Sequence, residues 1–148
     1  MKSKLFVLVL VFVVGHASAQ SPKGKIKAKD LVGTQWTAVE IWNVSHYDGA
    51  EDILVSREDF GEWAAFVEID FKSETELVGT QLDGKTYKCP YQLKKKMLSY
   101  THIFNPDTQY AAEVYVEAKL NMVSSTQFTM EADFCQDGCV YRIEYEKE

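Results

Sequence analysis

The residues able to do chemistry are few and scattered. Three cysteines (Cys89, Cys135, Cys139) and three histidines (His16, His46, His102) are the chain's whole supply of thiols and imidazoles. Cys135 and Cys139 flank Gln136-Asp-Gly138, a three-residue hairpin loop whose glycine is free for the left-handed position. Residues flanking such a loop lie within the roughly 4.4–6.8 Å Cα separation that a disulfide spans, so this pair is the expected bridge. Closing so short a loop contributes about 2 kcal/mol and would mainly lock the hairpin. Cys89 is then left beside Pro90, as a buried thiol or as half of an intermolecular bridge. A Cys-x₃-Cys pair with no second ligand pair, and with His46 and His102 isolated, does not compose a zinc site, so no metal and no cofactor is expected. Catalysis has no supporting motif either: the chain lacks a Gly-x-Ser-x-Gly elbow, a His-Glu-x-x-His pair and a phosphate-cradling glycine loop. Glu40, Glu68 and Asp70 sit in stretches whose pattern puts them at a rim or in solvent. The expectation is a binding protein rather than an enzyme.

What the chain offers in place of catalytic groups is rings with polar handles, and their use depends on the elements that carry them. From Thr34 onward the apolar pattern has period two, with β-branched and aromatic residues enriched. The expected strands are 34–42, 64–72, 75–81, 85–93, 97–104, 111–122, 127–134 and 139–146. Most of the connections, such as Asp83-Gly84 and Lys94-Lys-Lys96, are too short for a helical crossover, so consecutive strands run antiparallel. The fold class is therefore all-β, an eight-stranded antiparallel up-and-down meander. Closing it into a barrel removes both exposed edges and leaves an interior just wide enough for side chains or one small ligand. An open sheet or two-sheet sandwich is the other solution. The exception among the connections is Asn43 to Trp63, where Ser56-Arg-Glu-Asp-Phe-Gly-Glu62 is suited to one short helix. This first long loop is expected to cap one barrel mouth, with Tyr47, Phe60 and Trp63 in reach of a ligand or of a protein partner. Asn43-Val-Ser45 also forms a glycosylation sequon.

Inward parity selects Trp42, Tyr87, Tyr91, Tyr100, His102, Phe104 and Phe128 as ligand-binding candidates. Apolar walls with a few hydrogen-bonding tips suit a small, apolar or amphipathic molecule. The same rings would also serve simply to fill a small core.

The first strand adds a family signal. Leu31-Val-Gly-Thr-Gln-Trp36 resembles the opening of lipocalin-like (calycin) domains, particularly small exported bacterial ones, in which one or two residues stand between a glycine and the first-strand tryptophan. The resemblance rests on Gly33 and Trp36 and implies that the Trp packs at the closed end of the barrel. It further implies a late basic residue crossing that ring, for which Arg142 is the candidate, and a small ligand in the lumen. Avidin-like barrels share a Gly-Thr opening but have a short first hairpin, unlike the long segment after Trp42.

The outer features concern compartment. Met1-Lys-Ser-Lys4, an apolar run from Leu5 to Gly15 and Ala17-Ser-Ala19 fit a secretory signal peptide over residues 1–19, too short for a spanning helix. Residues 20–30, carrying four lysines with Pro22 and Gly24... read as a flexible basic leader or docking arm, and 31–148 as the barrel domain. The product is expected to be secreted or periplasmic, where disulfides persist, and without a membrane span. With Lys2 and Lys4 removed, 14 basic residues face 22 acidic ones, a net charge of −8 that argues against a nucleic-acid partner.

Overall fold

A one-turn helix, α1 (Ala28–Leu31), leads into the barrel. The computed structural model describes residues 25–45, 50–60, 65–104, 108–134 and 138–148. The expected signal peptide, and His46, Tyr47, Trp63 and Cys135 among the residues singled out above, lie outside these. Asp30 accepts a hydrogen bond from the Lys27 amide (3.0 Å) and returns its own N–H to the Lys27 carbonyl (2.9 Å). The helix thus begins before Asp30, and Ile26 and Ala28, within the stretch expected to be leader, already pack against the core. Leu31 is buried at the barrel end, and Val32 (φ −55, ψ 130) with Gly33 (φ +75) makes a type II turn closed by Thr34 N–H to Leu31 O at 3.0 Å. The second central position of that turn needs positive φ, which is the physical reason for glycine here.

Eight antiparallel strands close on themselves: β1 (Gln35–Asn43), β3 (Glu68–Phe71), β4 (Glu76–Thr80), β5 (Thr86–Lys94), β6 (Met97–Phe104), β7 (Ala112–Met122), β8 (Gln127–Ala132) and β9 (Tyr141–Lys147), with β9 returning to pair with β1. A two-residue strand, β2 (Ile53–Leu54), lies within the long first connection and pairs with the end of β1, and a 3₁₀ turn at Arg57–Asp59 supplies the expected short helix there. Ser73 pins the β3–β4 turn by accepting from the amides of Thr75 and Glu76 (3.2 and 3.0 Å), and Gly84 turns β4 into β5 at φ +82.

Two local irregularities decide where the rings point. In β1 the alternation Trp36, Ala38 inward is broken by a bulge between Ala38 and Glu40, after which Ile41 is buried and Trp42 faces outward. An extra residue in one strand shifts every later side chain to the opposite face. In β5 the ladder to β6 runs from Lys94↔Met97 to Tyr91↔Tyr100 and stops at Pro90, which has no N–H to give. Beyond Pro90, β5 stays paired with β4 and β6 stays paired with β7 as far as Phe104. The barrel wall is therefore unlaced between the upper halves of β5 and β6.

Candidate functional site

The half of the lumen next to α1 is built as a core. Trp36 donates its indole N–H to Thr34 Oγ1 at 2.6 Å and lays its ring edge-on to Phe128 at 4.5 Å, and Phe128 stacks on Tyr145 at 4.9 Å. The Tyr145 hydroxyl donates to the Phe66 carbonyl at 2.6 Å. Across the barrel Tyr91 packs against Phe71 (5.3 Å) and donates to the Ser73 carbonyl at 2.8 Å. Burial raises both phenol pKa values, with Glu74 adding to the effect at Tyr91, so both hydroxyls remain donors. Interlocked rings with occupied polar tips are what a filled interior requires.

Phe66 divides this half from the other. Its ring lies so close over Gly79 that a Cβ built there would stand 2.2 Å from the nearest ring carbon. Glycine on β4 makes room for the ring. On its far side Phe66 faces Tyr100 (5.5 Å) and, edge-on, His102 (5.3 Å).

At His102 the pattern changes. The imidazole is fully buried, edge-on to Tyr87 at 4.4 Å and to Phe104 at 4.2 Å, with Nδ1 4.0 Å from Cys89 Sγ. Among the described residues its Nε2 has no hydrogen-bond partner. Burial pushes the His102 pKa down to about 4 and the Cys89 thiol up to about 12, so at neutral pH the pair is an uncharged imidazole beside a protonated thiol. A buried polar nitrogen without a partner costs about 1–3 kcal/mol, and each such atom calls for an explanation. These four side chains come from the stretches of β5 and β6 that Pro90 leaves unladdered, and Tyr87 and Val114 beside them are only partly buried. The same end of the barrel is capped elsewhere by the long connection: Phe60 is buried edge-on to Tyr141 at 5.3 Å, and Val44 N–H bonds to the Val140 carbonyl at 2.9 Å.

The candidate residues thus separate. Tyr87, His102 and Phe104 form one cluster, which Tyr100 reaches through Phe66, while Tyr91 and Phe128 belong to the filled half. Trp42 is displaced from the lumen by the β1 bulge and instead donates its indole N–H to Glu40 at 3.1 Å on the outer face. Arg142 does not cross Trp36. The β1–β9 register sets Arg142 opposite Trp42 and Lys147 opposite Trp36, and Arg142 binds Asp52 at 2.8 Å, tying the long connection to the barrel wall. Sequence reasoning missed Cys89 as a neighbour of His102, although equal steps away from the Lys94-Lys-Lys96 turn place the two face to face. No disulfide joins cysteines among the described residues, so the expected Cys135–Cys139 bridge finds no support there, Cys135 itself lying outside them. No group of three or more metal-ligating side chains occurs among the described residues.

Outside the lumen, a shallow concavity of about 300 Å³ runs over Gly33, Asp70, Lys72 and Glu148, its polar groups engaged with one another: Asp70 accepts from Gln35 (3.0 Å) and pairs with Lys72. No helix among the described residues is long and apolar enough to cross a membrane. The closed antiparallel barrel is consistent with a calycin-like fold; compared with protein-family models, with curated proteins and with solved structures, the chain matches none.

Proposed function

We propose that this protein is a secreted or periplasmic, lipocalin-like carrier that holds a small, partly apolar molecule in the half of its lumen away from α1, against His102, Tyr87 and Phe104. The observation that carries the reading is the unpartnered Nε2 of His102, buried among rings beside an unlaced stretch of the wall. A ligand supplying one hydrogen bond there would relieve the cost of that buried nitrogen. Apolar burial at roughly 25 cal/mol per Å², before association costs, would supply most of the affinity. No step of bond making is required of any residue, and the function proposed is binding without catalysis. Native mass spectrometry of the mature protein from its own exporting host, followed by denaturing extraction, tests this. A stoichiometric small molecule that a His102→Leu variant fails to retain is the expected result. A ligand-free wild-type protein that also takes up no apolar probe would overturn it.

A second reading, a protein-interaction module acting through the first long loop, is favoured by one feature of the outer surface. Ile53 and Leu54 are 64% and 58% exposed on β2, with Leu54 opposite Trp42 and exposed Val39 nearby on β1. Ile53→Asp with Leu54→Asp would abolish partner capture under this reading and leave small-molecule retention unchanged under the first.

A further inference from the structure

We infer that Cys89 sets the tautomer of His102, so that Nε2 carries the proton and the site takes an uncharged molecule offering a hydrogen-bond acceptor, in preference to one offering a donor or a charge. This inference rests on the lumen-binding reading above and deepens it. The Cys89 sulfur lies 4.0 Å from His102 Nδ1 and 4.0 Å from the Tyr87 carbonyl oxygen. A thiol has one proton to give. Tyr87 is paired with Gly79 in the β4–β5 ladder, whereas the Cys89 sulfur is the one polar atom recorded beside Nδ1. Given to Nδ1, the S–H satisfies a strong imidazole acceptor, and the ring proton then resides on Nε2. The reverse arrangement pairs Nδ1–H with a thiol sulfur, a weak acceptor, and leaves the Nε2 lone pair bare. Burial keeps the thiol protonated and the imidazole neutral, so neither arrangement carries charge at neutral pH.

The surroundings select against charged ligands. Among the described residues the cluster is walled by Phe66, Tyr87 and Phe104, while Lys88 is exposed on the outer parity of β5 and Lys85 is engaged by Asp83 at 2.9 Å in the turn. An anion or cation placed against His102 would be desolvated with no counter-charge to meet it. The rings packed edge-on around His102 suit a partly aromatic body, which would have to enter where the ladder ends at Pro90 and Tyr87 is only partly buried.

Quinoline, indole and naphthalene form a test series at neutral pH: similar in shape and size, bearing respectively one acceptor, one donor and neither. The expected result is that quinoline binds about tenfold more tightly than naphthalene, the worth of one added hydrogen bond, while indole gains nothing. Nitrogen-15 NMR of the ligand-free protein is expected to show His102 protonated at Nε2. Cys89→Ser, which keeps a donor, should preserve both results, and Cys89→Ala should lose the tautomer preference and the quinoline advantage together. Indole binding as tightly as quinoline, or His102 protonated at Nδ1, would overturn the inference and leave the lumen-binding reading standing. If none of the three probes saturates the protein, that reading falls and this one with it.

Discussion

Trp36, Tyr91 and Tyr145, in the half of the barrel next to α1, each bury a ring and hand its polar tip to a specific oxygen, on Thr34, Ser73 and Phe66 respectively. His102, in the other half, is buried as completely, yet its Nε2 finds no hydrogen-bond partner among the described residues. The ladder follows the same division. Where β5 and β6 are laced, their inward rings fill space; where Pro90 ends the lacing, Tyr87, Cys89, His102 and Phe104 gather. Ring composition alone therefore does not mark a binding region in a small barrel. The marker is whether the polar atoms on those rings have been satisfied from within the fold.

The largest effect expected from this difference is in stability. Trp36→Ala removes a fully packed ring and should lower the unfolding free energy by about 3–5 kcal/mol in a denaturant titration. Phe104→Ala, beside the unlaced seam, should cost less than that, because the site can relax. Equal losses at the two positions would mean that the seam end is packed as tightly as the α1 end, which would break the comparison.

Strand identity was readable in the chain because the buried and solvated residues alternate so regularly: eight stretches named from period two match the eight barrel strands, most within a residue or two at each end. Ring placement was less so. Parity predicts Trp42 inside, and a bulge that no composition signal announces puts it outside. The partner of Trp36 was misplaced for a related reason, since register along β9 is a property of two distant strands, and it brings Lys147 rather than Arg142 to that position. His102 was legible as a lumen residue, but the feature that makes it a candidate site, an imidazole nitrogen without a partner, exists only once neighbours from β5 and the segment before β3 are in place.

Acidification should separate the two halves next. The folded state holds the His102 pKa near 4 by burial, against an ordinary value of 6.5, so the unfolded chain takes up the proton first as pH falls. Stability is then fully present above about pH 6.5, declines by about 3 kcal/mol as pH drops toward 4, and levels off once the folded imidazole protonates as well. His102→Leu should remove that part of the pH slope, while Tyr91→Phe should leave it intact. Unfolding curves for the three proteins at pH 7 and pH 4.5 decide the point. An unaltered slope in His102→Leu would mean that the buried imidazole is not what responds to acid.

The partition between the halves can be strained directly. Gly79→Ala drives a methyl group into the ring of Phe66 and should cost about 1–3 kcal/mol, with Phe66→Leu restoring part of the loss in the double variant. Because Phe66 also faces His102, ligand retention should change in the same variants. Retention unaffected by movement of this ring would place the bound molecule away from His102.

The smallest effect discriminates best, because it changes sign. Tyr91→Phe removes a hydroxyl that donates to the Ser73 carbonyl, and should destabilise the barrel by about 1 kcal/mol through the lost bond. His102→Leu also deletes a buried polar group at similar volume, but one whose Nε2 is unsatisfied and whose Nδ1 contact is with a weakly bonding sulfur, so it should stabilise the ligand-free barrel by about 1 kcal/mol. A polar residue that weakens the fold it sits in persists for a reason outside the fold, and here that reason would be the molecule the barrel holds. Thermal or urea unfolding of the two variants against wild type, both without ligand and at neutral pH, measures the pair. Destabilisation by both substitutions would show that His102 is as much a part of the core as Tyr91, and the half around His102 would then lose its distinction from the half next to α1.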